Sequence, residues 1–538
     1  MGAGGVDGWW WWTLSAAALA SWLLDLLVRL VWRPRAVARR LRAQGVRGPP
    51  YRFFHGSLGE VRRLRAAGAG VTLDVNDHDF TPIAQPHFRE WIPRYGRMFV
   101  SWFGPTPDVC VADLAVARQV LADRTGLFPK HRMNANLLRL LGEGLVLANG
   151  DDWHRHKKVV HPAFNTDKLK MMTATMAECA RSMVSGWEAR LAKQGKEGMV
   201  IELSGQFEEL TADVISHTAF GSSYREGKQV FEALKELQVI TFSTLFNVQI
   251  PGSRYLPTKQ NRRVWKLDKE VRSTLMRIIR TRLAAKGKAG YGHDLLGLML
   301  EACAPERDGD PKLLSMDEIV DECKTFFFAG QETTSHLLTW AMFLLSTHPE
   351  WQDRLREEVL RECGGRDGLH RTPTHDMLNK LKQASLGRSQ HFIVFFVNLF
   401  LLETLRLYSP LAQFRRWTRS PVQLGGITVP QDALLTIPIA MIHRDKEVWG
   451  DDAGEFNPLR FDIVNGGAKH LSALLAFSMG PRACIGQNFA MVEAKAAVAA
   501  ILQRFRLTLS PEYVHAPTDM ITLRPKYGLP MIVSHIEE

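Results

Sequence analysis

The stretch Phe477-Ser-Met-Gly480-Pro-Arg482-Ala-Cys484-Ile-Gly486 runs straight into QNFAMVEAKAAVAAILQRF, residues 487–505, which has helical composition and no breaker. A loop that delivers a cysteine to the mouth of a helix aims free backbone N–H groups and the positive helix end at its sulfur. That arrangement favours the thiolate over the thiol. Gly480 and Gly486 permit tight turning and close approach of a flat ligand, Arg482 is placed to meet an acidic edge group, and Phe477 to shield the sulfur from water. Such a loop suits a large, soft cofactor. The remaining cysteines (Cys110, Cys179, Cys303, Cys323, Cys363) lie far apart with no C-x-x-C pair. A zinc ribbon, a thioredoxin motif and a disulfide framework therefore lose support, and each of these five reads as a buried, inert thiol.

With its five fixed positions, the loop resembles the haem-ligand signature of the cytochrome P450 family, F-x-x-G-x-R-x-C-x-G. The resemblance implies that Cys484 is the metal ligand, an axial thiolate to haem (heme) iron that pushes electron density toward O–O cleavage. It also implies that Phe477, Gly480, Arg482 and Gly486 bind the cofactor. Further elements of the family stand in order upstream. Ser315-Met-Asp-Glu318 is a capping box, and the chain from there to His348-Pro349 lacks proline, so a helix of about 34 residues is expected. Inside it lies Ala329-Gly330-Gln331-Glu332-Thr333-Thr334, whose Gly, Thr and Thr weaken a helix and predict a local break opening a groove. The family pattern makes Thr333 and Glu332 the catalytic pair, handling protons for the oxygen being activated, with Ala329 beside the cofactor.

Glu403-Thr-Leu-Arg406 resembles the family's E-x-x-R, and Arg460 in Phe456-Asn-Pro-Leu-Arg460-Phe461 resembles the segment that adds a second arginine. Taken alone E-x-x-R says little, since Glu60 to Arg63 and Glu358 to Arg361 also fit. Order and spacing select Glu403, whose role is a structural lock on the cysteine loop. Trp153-His-Arg-His156-Lys157 resembles W-x-x-x-R, whose tryptophan and basic residue contact haem propionates; lysine here keeps the charge and loses the bidentate fork. Arg416 matches another basic position. The family element Pro162-Ala-Phe164 and the closing YGLP extend the resemblance from about Gly48 to the C-terminus, and KTFFFAGQETTS and GDDWHRH point to plant microsomal members of the clan that includes fatty-acid, cytokinin and brassinosteroid hydroxylases.

The rest of the chain fits this frame. Its 538 residues are 46% hydrophobic and 23% charged, an ordinary globular composition. Helical signals dominate from about Asp113 to Leu381 and strand-like runs collect afterwards, as in Pro421 to Ile439. The fold class is mainly α with a small β subdomain. No dinucleotide or P-loop motif is found, so electrons must come from a separate protein, by family analogy the NADPH-cytochrome P450 reductase. The net charge of +12 does not point to nucleic acid, because six arginines (Arg33, Arg35, Arg39, Arg40, Arg42, Arg47) crowd one acid-free segment. Just before them runs Trp9 to Trp32, whose only formal charges are Asp25 and Arg29. As a helix this spans about 36 Å, enough for a bilayer, and the arginines after it place the body in the cytosol. We therefore expect residues 1–32 as a membrane anchor, 33–50 as a basic and proline-rich linker, and 51–538 as a cytochrome P450 catalytic domain on the endoplasmic reticulum membrane. The implied activity is monooxygenation of a lipophilic small molecule with O2.

One stretch departs from the family. Gln383 to Phe400, QASLGRSQHFIVFFVNLF, adds about fifteen residues before the Glu403 helix. Two origins fit it: a real loop insertion, or intron sequence read as protein. Extruded, its apolar half from Phe392 is an aggregation patch; were it to displace the Glu403 helix, the product is a non-catalytic or misfolded haem-protein variant.

Overall fold

The computed structural model describes residues 7–130, 135–194, 198–248, 252–286, 290–292, 294–303, 313–363, 373–380, 396–462 and 466–536. Its axis is the helix Met316–Thr347, started by the expected capping box: Ser315 Oγ accepts from the Glu318 N–H and Glu318 Oε2 from the Ser315 N–H at 2.7 Å. From Ser335 to Leu345 every side chain is buried, as an all-round apolar helix requires. The helix is continuous through 329–334, so the expected break does not form. Thr333 returns its hydroxyl to the Ala329 carbonyl at 2.8 Å, and Gly330 serves packing instead of bending: a Cβ there would lie 2.8 Å from Ile215 Cδ1 on the neighbouring helix Leu203–Phe220.

The helix that follows the cysteine loop, Gln487–Leu502, is buried at nearly every position from Phe489 onward. Its alanines let it press against the helix Thr166–Gln194 and the central helix. The β part draws on both ends of the chain, which corrects the expectation that strands collect only after Leu381. The four-stranded sheet runs Met98–Phe103, Thr106–Val111, Leu434–Ile437, Phe414–Trp417, with the two middle strands parallel. Gly198–Glu202 likewise pairs with the C-terminal strand Pro530–His535.

At the N-terminus one helix among the described residues is long and apolar enough to cross a membrane, and its apolar window is wholly unburied. The chain does not become a free linker after it. Asp7–Leu27 passes through a π-turn, Val28–Trp32, into the helix Arg33–Ala43. Tyr51 donates its hydroxyl to the Leu30 carbonyl of that turn at 2.5 Å. Pro34, Val37 and Leu41 are buried, Arg33 pairs with Asp432 at 2.9 Å, and Gln44 bonds the backbone of Thr428 in both directions.

Of the departing stretch, 383–395 lies outside the described residues. Phe396–Phe400 is neither extruded nor disruptive: it forms the first turns of the helix Phe396–Leu407, with Val397 and Phe400 fully buried. Glu358 accepts from the N–H groups of Phe396 and Val397 at 3.0 and 2.8 Å, which caps the helix start.

Candidate functional site

The cysteine loop is set by its backbone. Leu475 O accepts from Ser478 N at 2.7 Å and Phe477 O from Cys484 N at 2.8 Å, closing the loop around the turn Gly480–Arg482. Ser478 is held at φ 59, a left-handed conformation costly for a residue with a Cβ, as strained functional loops often are. Gly480 is required twice over: its φ is +69 and an added Cβ would meet Ala122 Cα at 2.6 Å. Phe477 packs at the margin of the main core. Gly486 caps the following helix, and a Cβ there would sit 3.9 Å from both Cys484 Sγ and Phe164.

Cys484 is exposed, yet the protein around it is dense enough for desolvation to raise its pKa above the ordinary thiol value. The Gly486 N–H and the Lys130 charge pull the other way and do not prevail. The Gly486 N–H is the expected backbone contribution toward the thiolate, and burial outweighs it here.

Opposite the sulfur the structure gathers positive charge. Arg482 donates to Ala148 O and, at 3.0 Å, to Asn149 Oδ1, with its guanidinium 4.5 Å above the Trp153 ring. Arg416 is buried; among the described residues its Nη1 reaches only the carbonyl of Arg415 and its Nη2 has no partner. Burial lowers both guanidinium pKa values to about 10, with Arg416 adding repulsion at Arg482. Lys130, which the sequence reading missed, joins them. Burial, then Arg416 and Arg482, push its pKa well down, and Cys484 is what raises it. Among the described residues no carboxylate bears on this ammonium. Three clustered cations with an orphaned buried donor are a cradle for a ligand carrying carboxylates, and Cys484 adds a soft metal donor. A flat iron macrocycle with acidic edges fits both. Lys157 Nζ donates to Pro481 O at 3.2 Å and lies 4.8 Å from the Trp153 ring, so it touches both the cysteine loop and the ring beneath Arg482.

Glu403 and Arg406 are fully buried and paired, Nε to Oε2 at 2.8 Å and Nη2 to Oε1 at 2.7 Å. Arg460 approaches at 3.6 Å and is held by Asp452 at 2.8 Å. The lock reaches the cysteine loop through a second residue the sequence did not flag. His443 Nδ1 donates to Arg406 O at 3.1 Å, and its Nε2 accepts from Leu475 N at 2.9 Å. Burial and the neighbouring Arg406 and Arg444 lower its pKa to about 3, so it stays neutral, as that tautomer demands.

On the central helix Glu332 and Thr333 point about 100° apart and make no mutual bond. Glu332 Oε1 accepts from Gln238 Nε2 at 2.6 Å and Thr522 Oγ1 at 2.8 Å, with His336 at 3.9 Å. Burial pushes its pKa up, but His336, these two donors and Arg524 more than offset it, leaving the carboxylate ionised. A cavity of about 500 Å³, whose wall includes Glu208, Lys235 and Gln238, has Glu332 in its lining.

The family model described as Cytochrome P450 matches residues 79–529. The chain is 42% identical over 514 residues to Cytochrome P450 709B1 of Arabidopsis thaliana, covering 95% of each. It is 42% identical over 539 residues to Cytochrome P450 734A6 of Oryza sativa subsp. japonica, 98% of this chain and 96% of the other. It is also 38% identical over 534 residues to Secologanin synthase 1 of Catharanthus roseus, with 97% and 98% covered.

Proposed function

We propose, from the premise that the chain belongs to the cytochrome P450 family and is a haem-thiolate monooxygenase, that Cys484 ligates the iron while Lys130, Arg416 and Arg482 bind the haem carboxylates. The observation that carries this is the convergence of three cations, of which Arg416 is buried with an orphaned donor, around an accessible cysteine. When bound, the haem supplies O2 activation and insertion of one oxygen atom into a C–H bond. The protein supplies the rest. The Gly486 N–H steadies the sulfur, and Trp153 covers the Arg482 guanidinium. Glu332 draws protons from its cavity and, by swinging off Gln238 and Thr522, passes them toward the Thr333 hydroxyl.

The substrate is a lipophilic small molecule of the fatty-acid, cytokinin or terpenoid/steroid-like kind; the similarity to Secologanin synthase 1 supports a small-molecule substrate. Residues 1–32 anchor the catalytic body, 51–538, to the endoplasmic reticulum membrane through the juxtamembrane segment 33–50, with the body cytosolic. Exposed Phe53, Val71, Val239, Tyr255 and Leu256 suit an apolar face resting on lipid. Arg62 bonding Asn247, and Arg65 lying over Phe242 and Phe246, bring the helix Leu58–Gly68 and the end of the helix Tyr224–Leu245 to one end of the molecule. Electrons come from the NADPH-cytochrome P450 reductase, docking on the basic face of His154, Lys157, Lys158 and His161.

Burial of Phe396–Phe400 in the Glu403 helix supports the catalytic reading over the misfolded variant. Microsomes carrying the full chain are expected to show the red-shifted carbon monoxide difference band and, with reductase and NADPH, to oxidise at least one member of a fatty-acid, cytokinin and terpenoid panel. Absence of the band would remove the reading.

A further inference from the structure

We propose that His156 and Glu322 form a buried strut that positions the cation cradle, so that haem retention is set from the central helix by residues other than the cradle cations. The proposal rests on the haem-site reading above and deepens it. The central helix presents Asp321, Glu322 and Thr325, at i, i+1 and i+4, to the stretch 141–149. Asp321 Oδ2 accepts from the Glu143 N–H at 3.1 Å, Glu322 Oε1 from the Leu145 N–H at 2.8 Å, and Thr325 donates to Leu141 O at 2.6 Å. The fit leaves no room for a side chain: a Cβ on Gly142 would lie 2.6 Å from Asp321 O, and one on Gly144 2.8 Å from Glu322 Oε2.

The far end of the same loop holds the cradle. Its Ala148 carbonyl and Asn149 amide take Arg482, and Asn149 bonds the backbone of Lys130 in both directions, at 2.8 and 3.1 Å. His156 closes the triangle. Its Nδ1 meets the Glu322 oxygen that holds Leu145, at 2.5 Å, and its Nε2 stands 3.4 Å from Glu318, which Arg155 grips at 2.6 Å. It shares a helix face with Trp153, the ring beneath Arg482. Burial lowers the His156 pKa, but Glu322 and then Glu318 more than restore it, while burial raises that of Glu322. A buried ion pair is a poor source of net stability, whereas two groups meeting on one carboxylate oxygen fix the relative place of three segments.

The test uses full-length holoprotein in detergent and reads haem transfer to excess apomyoglobin, the resonance Raman propionate bending mode, and urea unfolding. His156→Ala and Glu322→Leu are expected to accelerate haem loss about 10–100-fold, the usual effect of removing an outer-shell partner, and to shift the propionate mode. Glu322→Gln, which keeps the acceptor, stays below the roughly 10-fold lower end of that range. The control is Arg356→Met, a buried cation held by Gln352 and the Phe505 carbonyl away from the cradle; it lowers urea resistance and leaves haem loss alone. Should the truncations not fold, Glu322→Asp, one methylene short, is read in their place with the same expected acceleration. Unchanged haem loss in the strut variants, or equal acceleration in Arg356→Met, overturns the proposal. Lys130→Met and Arg416→Met separate the two readings: if they leave haem loss unchanged the cradle itself falls, and if they alone accelerate it only the strut falls.

Discussion

Replacing Glu403 by Gln tests how the lock works. The carboxylate is fully buried, and its oxygens take Arg406 Nε, Arg406 Nη2 and the Asn457 N–H at 2.8, 2.7 and 2.9 Å. An amide keeps the shape but removes the charge, and one of the Arg406 donors then faces an NH2 group. Arg406 stays buried, with only the carbonyls of His443, Ala453 and Glu455 to balance it. Removing one partner of such a pair costs about 3–5 kcal/mol, roughly two to three and a half decades in the folded-to-unfolded ratio. Because His443 passes the Arg406 position to Leu475, the cysteine loop should loosen first. Urea titration followed at the thiolate haem band and, separately, by tryptophan fluorescence should show a large drop in the first midpoint and a smaller one in the second. A companion Glu403→Leu/Arg406→Leu double variant should lose less than the sum of its singles. A Glu403→Gln loss below about 1 kcal/mol, the worth of an exposed pair, would refute the reasoning.

Four further outcomes follow from the geometry. Cys484→Ser should abolish the red-shifted carbon monoxide band while far-ultraviolet dichroism stays unchanged. Gly480→Ala forces a Cβ against Ala122 in a left-handed turn and should cut the haem-to-protein absorbance ratio severalfold. Thr333→Ala removes a hydroxyl that only back-bonds its own helix, so thermal stability should hold or rise while product per NADPH falls and peroxide appears; full product yield in that variant ends its proton role. His78 and His443, with pKa values about 3, and His515, about 4, stay neutral in the fold but take up protons when unfolded below about pH 6.5. Stability is thus intact above pH 6.5 and falls as pH drops toward 4, by at most about 1.4 kcal/mol per pH unit per histidine, and His443→Gln should flatten the urea midpoint against pH accordingly.

What the sequence made legible is local in the chain. The capping box, the cysteine loop and the Glu403–Arg406 pair each depend on residues within a few positions, and each is found where spacing predicts. The helix break at 329–334 misled because propensity ignores context: Ile215 fills the space beside Gly330, and packing overrides the weak helix formers. Lys130, His443 and Glu322 stayed hidden because their partners lie hundreds of positions away or on other elements, and a lone Lys, His or Glu carries no periodic signal. Phe396–Phe400 misled in the opposite sense. An apolar run at the end of an unfamiliar segment looked foreign, yet it is the opening of the Glu403 helix, with Val397, Leu399 and Phe400 buried.

The docking of Arg33–Ala43 onto the hairpin around Thr428 and Asp432 changes how a soluble form should be cut. Trimming at the proline-rich boundary near Pro49 would strip a side wall from the body and bare the surfaces that Pro34, Val37 and Leu41 cover. A start just ahead of Arg33 keeps that wall.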